Sequence, residues 1–288
     1  EIEHYYLGFS NSTLWPLSIN FLGRTRYDEK DWEVYKNVNQ KFAEVVAPKL
    51  LPSDLVWVND YQLSLLPGFL RKLKPHAKIG FFWHIPFPPL DLFRTMPWRE
   101  EFLKGMLGAN LVGFHCRSYA KNFLQAVEEL LGMDVSFGKG LVRTKRTIRV
   151  AALPMGIDYY SIQKLAEKPQ VKDAAQRIRS KNGILILGVD RLDYSKGIPE
   201  RLRAVERLFE ENPEYVGRIT FIQISVPTRT EIPEYRILQD EVEKAVGGIN
   251  GRFSRENWIP VRYYFRALPF EELISYYLAA DVCLITPL

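Results

Sequence analysis

At 288 residues, 47% of them hydrophobic, the chain is long enough for two globular domains, each with its own core. Its formal charge of +5 is small, and Lys and Arg are interspersed with Asp and Glu. That pattern gives no basic tail and no RNA-binding signature, so it speaks against a nucleic-acid partner and suits a mildly basic enzyme acting on anionic metabolites.

The elements can be read in chain order. Leu55–Val58 is an apolar run of strand length, followed by an amphipathic stretch, Tyr61–Lys72, that predicts a helix. Ile79–Phe82 is a second strand, with a helix near Trp98–Leu107. Leu111–Phe114 is a third, with a helix over Ser118–Leu131, and Val150–Leu153 is a fourth. Residues 159–180 are polar and helical in composition, with Pro169 near the middle. The alternation then resumes: strand Ile184–Val189 and helix Pro199–Glu210, strand Ile219–Ile224 and helix Pro233–Ala245, strand Val261–Phe265 and helix Phe270–Ala279, and last strand Val282–Ile285. Strands apolar on both faces and separated by helices predict parallel sheets covered on both sides. The expected fold is α/β, with two Rossmann-like domains, 1–168 and 169–288, whose sheets face across a cleft. The chain starts on Glu1 rather than Met and ends just past an apolar run, which reads as a segment of a longer protein.

Cys116 and Cys283 are too few for a disulfide framework, and their apolar neighbours predict buried free thiols. No apolar run reaches the length of a membrane span and no signal peptide is visible, so the expected compartment is the cytoplasm.

In doubly wound sheets, ligands bind outside the carboxyl ends of the strands. Asp60 follows the first strand, where a helix N-cap is the simpler role for a lone Asp. His84 follows the second, in the proline-rich loop HIPFPP, whose rigidity suits a positioned polar group. The strand Ile184–Val189 runs into GVDRLDYSKG, with Arg191, Asp193 and Lys196 inside six residues and Gly197 before a helix. A forked guanidinium, an ammonium and a helix N-terminus together favour a phosphate. For this stretch alone, a solvated salt bridge of Asp193 with either cation is an equal reading. Arg229 is a third cation after a strand end. Taken together, these residues predict a cleft for phosphorylated ligands. No His/Cys cluster, Walker loop or GxGxxG loop is present, so no metal site or dehydrogenase-type nucleotide site is expected.

The segments YYLGFSNSTLWP (5–16), VWVNDYQL (56–63), GFFWHIPFP (80–88), LPMGID (153–158), VDRLDYSKGIPERLRA (189–204), INGRF (249–253) and DVCLITPL (281–288) occur in this order. Over nearly the whole chain they resemble the trehalose-6-phosphate synthase family, retaining glycosyltransferases of the two-domain GT-B fold. The resemblance implies transfer of glucose from UDP-glucose to glucose 6-phosphate, with no metal and no cofactor. It implies that Arg191 and Lys196 hold the UDP diphosphate, that His84 contacts the donor sugar, and that the backbone of Leu268 meets the uracil. Asp60 would lie at the acceptor sugar close to the reacting centre. Tyr6 and Trp15 would form the acceptor's aromatic pocket, and Arg229 would grip its phosphate. Asp193 would orient its neighbours. Core packing is the alternative for Tyr6 and Trp15.

The family usually has His where Asn59 and Gln62 stand, which keeps a different phosphorylated acceptor, such as glycerol 3-phosphate, as an alternative. A non-catalytic sugar-phosphate sensor is a third reading, opposed by the intact Arg191, Lys196, His84 and Asp60. The family's glycine-rich donor loop would precede Glu1, and its Arg-Asp-Gly-x-Asn-Leu segment and last helix would follow Leu288. The 288 residues alone are therefore expected to be inactive. A homo-oligomer or a fused phosphatase domain is compatible with the family.

Overall fold

A computed structural model describes residues 1–179, 183–230 and 232–288. The chain divides into two compact units, Glu1–Gly156 and Ile157–Leu288. The expected helical stretch 159–180 includes position 180, which lies outside the described residues.

The N-terminal unit opens with a π-helical stretch, Glu3–Leu14, and then the long helix α1, Glu29–Val46. The Asp28 side chain caps α1 by accepting the Asp31 N–H at 3.1 Å. Next come β1 (Leu55–Asn59), α2 (Leu66–Leu73), β2 (Lys78–Trp83), α3 (Arg99–Met106), β3 (Leu111–Phe114) and α4 (Arg117–Leu131). Gly132, left-handed at φ 60°, ends α4. A hairpin, β4 (Asp134–Ser136) and β5 (Leu141–Arg143), leads into β6 (Thr147–Ala152). The sheet order is β1-β2-β3-β6-β5-β4, parallel from β1 to β6 and antiparallel beyond. Rings of Phe9, Trp32, Tyr35, Trp98 and Phe102 pack the core beside α1. Trp32 and Trp98 are stacked at 5.3 Å, and Phe9 and Tyr35 lie 4.5 Å apart.

The C-terminal unit contains α5 (Tyr159–Ala166), α6 (Pro169–Ile178), β7 (Ile184–Arg191), α7 (Ile198–Glu211), β8 (Ile219–Val226), α8 (Pro233–Phe253), β9 (Val261–Phe265), α9 (Phe270–Ala279) and β10 (Val282–Cys283). Its sheet is all parallel, ordered β10-β7-β8-β9. The central strand β8 is buried from Ile219 to Ser225, as a strand covered on both faces requires.

Four expectations need correction. The sheet of the N-terminal unit is not covered on both sides. Leu55 and Trp57 of β1 are 71% and 68% exposed, and with Ile79, Phe82, Leu111 and Leu153 they line an open groove of about 420 Å³. The single helix expected over Tyr61–Lys72 is a 3₁₀ turn, Tyr61–Leu63, followed by α2. Side chains of α1 take the backbone N–H groups between the two: Tyr35 Oη accepts from Ser64 (3.1 Å), and Asn39 Oδ1 from Leu65 (3.1 Å) and Leu66 (3.0 Å). Helix α8 runs to Phe253 through three glycines, because Asn250 pairs through its amide with both backbone groups of Val261 at the start of β9 (2.9 and 3.0 Å). Finally, both cysteines are exposed. Cys116 sits at the N-cap of α4, and Cys283 lies on the short edge strand β10.

Candidate functional site

In the N-terminal unit, Asn59 is the last residue of β1, and His84 directly follows β2, its parallel neighbour. Asp60 between them is strained, with φ 68° and ψ 170°. That region is almost exclusive to glycine and costs a side chain about 2 kcal/mol. The surroundings fix it there. The Asp60 N–H donates to Phe82 O (2.7 Å), and its Oδ1 accepts from the N–H groups of Tyr61 (2.9 Å) and His84 (3.1 Å). The helix-cap reading of Asp60 therefore holds, and the same oxygen also ties the His84 loop to the β1 end. Asn59 Oδ1 lies 3.2 Å from His84 Nε2. Thus Asn59, one of the two positions expected to differ from the family that the sequence resembles, contacts a residue predicted to meet the donor sugar.

Below this loop, Tyr5 Oη and the Asn39 amide both donate to Gln62 O at 3.0 Å. Burial pushes the Tyr5 phenol up to about 12, so it serves as a donor. Trp15 is buried like a core residue, its ring 6.4 Å from that of Tyr61, whereas Tyr6 is 44% exposed. His115, just past the end of β3, was missed by sequence reasoning. Its ring lies 5.5 Å from that of His84. The signal that singled out His84, a histidine directly after a parallel strand, applied to it equally.

In the C-terminal unit, Arg191 is the final residue of β7 and is exposed. Lys196 closes a 3₁₀ turn, Tyr194–Lys196, and Gly197, left-handed at φ 60°, joins it to the N-terminus of α7. A Cβ on Gly197 would lie 2.3 Å from Thr286 O, so only glycine fits this close approach. Gly197→Ala is expected to lower stability by about 1–3 kcal/mol, read as a lower denaturant midpoint. An unchanged midpoint would contradict the close packing of the turn on Thr286.

The wet salt bridge considered for Asp193 is not the arrangement observed. Asp193 is fully buried and pairs with Arg229 (2.9 Å), which follows β8 at φ 49°. Asp60 and Arg229 are thus two of the three non-glycine residues with positive φ among the described residues. Leu268, in the loop between β9 and α9, rests against the core of Leu185, Leu187 and Ile224.

The model of glycosyltransferase family 20 matches residues 1–288. The chain belongs to glycosyltransferase family 20. It is 42% identical, over its full length, to the bifunctional trehalose-6-phosphate synthase/phosphatase of Thermoproteus tenax, covering 40% of that protein. It is likewise 42% identical to the trehalose-6-phosphate synthase of Mycobacterium bovis, covering 60% of it. A solved UDP-forming α,α-trehalose-phosphate synthase of Burkholderia xenovorans, in complex with glucose 6-phosphate, superposes with TM-score 0.92 at 33% identity, over all of this chain and 64% of that one. An Escherichia coli structure bound with UDP-2-fluoroglucose gives TM-score 0.93 at 31% identity, over 99% of this chain and 64% of that one. The family-20 chain therefore spans about 40–64% of the length of these relatives. Its α/β architecture with Rossmann-like parallel sheets is that of the GT-B synthases.

Among the described residues of this family-20 chain, no three His, Cys, Asp or Glu side chains cluster as metal ligands, and no helix is long and apolar enough to cross a membrane.

Proposed function

We propose that the protein is a retaining glycosyltransferase that moves glucose from UDP-glucose to glucose 6-phosphate, releasing UDP and α,α-trehalose 6-phosphate. The observation that carries this reading is the turn after β7. Arg191 at the strand end and Lys196 on the following 3₁₀ turn stand where a parallel strand gives way to the N-terminus of α7. Two cations at a helix N-terminus suit a diphosphate and the charge that grows on it as the sugar–phosphate bond breaks.

The acceptor hydroxyl would attack the anomeric carbon from the face that UDP leaves. A new C–O bond forms, the bond to the β-phosphate oxygen breaks, and that oxygen takes the hydroxyl proton. Such a reaction asks the protein for position and charge, not for a nucleophile. His84 would bind the donor sugar and Leu268 the uracil through its backbone. Asp60, Tyr6 and Trp15 would hold the acceptor sugar, with Arg229 on its phosphate.

UDP release by the intact protein, measured with glucose 6-phosphate and with glycerol 3-phosphate side by side, tests the assignment. Release with glucose 6-phosphate is expected, and release only with glycerol 3-phosphate would move the protein to the alternative acceptor. Arg229→Ala is expected to raise the half-saturation for glucose 6-phosphate by about tenfold or more, as loss of a charged hydrogen bond does, with UDP-glucose affected far less. Equal effects on both substrates would remove Arg229 from the acceptor phosphate.

A further inference from the structure

Asp193 divides its carboxylate between two groups to which the proposed function gives different substrates. Oδ1 accepts from the backbone N–H of Ser195 at 3.0 Å and from its hydroxyl at 2.7 Å. Ser195 is the middle residue of the 3₁₀ turn that ends in Lys196, so this oxygen holds the turn proposed to carry the UDP diphosphate. Oδ2 accepts from Arg229 Nη1 at 2.9 Å and from Tyr235 Oη at 3.0 Å, and Arg229 Nη1 lies 2.9 Å from the same Tyr235 oxygen. Tyr235 comes from the first turn of α8 and is itself buried. Burial, reinforced by the charge of Asp193, pushes the Tyr235 phenol well above its ordinary value, so it stays protonated and donates.

We infer that Asp193 and Tyr235 are positioning residues, with Asp193 a shared anchor whose two oxygens separately fix the donor-diphosphate turn and the acceptor-phosphate arginine. This rests on the proposed function. A buried carboxylate with four donors around it is saturated on both sides, so neither group can shift without loss of a charge-assisted hydrogen bond. Arg229 is also held in a left-handed backbone conformation, so its placement depends on such contacts and not on local preference. Asparagine cannot replace Asp193. An amide offers one acceptor oxygen, and its NH₂ must then face either the Ser195 donors or the Arg229 and Tyr235 donors.

The test is calorimetric titration of the intact protein with UDP and, separately, with glucose 6-phosphate. Ser195→Ala, which removes only a donor to Oδ1, is expected to weaken UDP about fivefold and leave glucose 6-phosphate within about twofold. Tyr235→Phe, which removes a donor to Oδ2 and with it the acceptor of Arg229 Nη1, is expected to do the reverse. Asp193→Asn is expected to weaken at least one ligand by about tenfold or more, on the side its NH₂ faces. The two single-sided variants keep the inference testable if Asp193→Asn does not fold.

Asp193→Asn leaving both ligands within about twofold, or Ser195→Ala and Tyr235→Phe each affecting both ligands equally, would overturn the shared anchor while leaving the glycosyltransferase reading intact. Failure of the unaltered protein to bind either ligand would instead overturn that reading, and this inference with it.

Discussion

Replacing Arg191 or Lys196 by alanine in the intact protein is expected to cut the turnover for UDP release by about 10²-fold or more, the effect of losing a preorganised donor aimed at developing charge. Both cations sit on parts of the chain whose positions are fixed by other residues. Arg191 ends β7 in register with Val226 of β8. Lys196 lies on a turn held by Asp193 from within and by Thr286, whose hydroxyl donates to Lys196 O at 3.2 Å and Gly197 O at 3.3 Å. The field of Lys196 is also felt by Asp190, lowering its carboxyl against the larger effect of burial. Because Arg191 is exposed, its loss should leave the denaturation midpoint in place, and the loss of turnover should be chemical. Steady-state UDP release checks this, and near-normal turnover in both variants would reject the diphosphate grip.

Arg201→Met is expected to act in the opposite way, through stability. Arg201 is 1% exposed under the same turn. It donates to Asp190 Oδ2 and Gln223 Oε1, both at 2.8 Å, and to Thr286 Oγ1 at 3.1 Å. Removing one partner of a buried pair leaves the other charge uncompensated, a loss of about 3–5 kcal/mol. Burial already raises the Asp190 carboxyl above its ordinary value despite the guanidinium beside it, so desolvation is a heavy charge on this pair. Chemical denaturation should show the loss in Arg201→Met, and a second change, Asp190→Leu, should recover part of it by removing the stranded carboxylate. An unchanged midpoint in Arg201→Met would show that the pair is not structural.

Strand order aside, the architecture is readable from apolar runs, since Ile184–Leu187 is apolar at every position and Ile219–Ile224 at all but Thr220 and Gln223. What escaped was decided by contacts distant in sequence. The break between Leu63 and Leu66 is made by Tyr35 and Asn39, more than twenty residues upstream. The length of α8 depends on Asn250 meeting Val261. The hairpin Asp134–Arg143 uses strands of three residues, too short for periodicity to register. The site shows the same division. His84, Arg191 and Lys196 are visible because charged or polar residues after apolar runs stand out. The partnership of Asp193 with Arg229 and Tyr235 spans 36 and 42 positions, and no local pattern announces it.

The bonds from Tyr35 and Asn39 have a consequence for motion. The amide hydrogens of Ser64, Leu65 and Leu66 are held by two buried side chains on the inner face of α1 and not by their own turn. Those amides can reach solvent only when α1 lifts from the core, so the segment beginning at the strained Asp60 opens with the helix as one cooperative foldon rather than fraying as an independent surface loop.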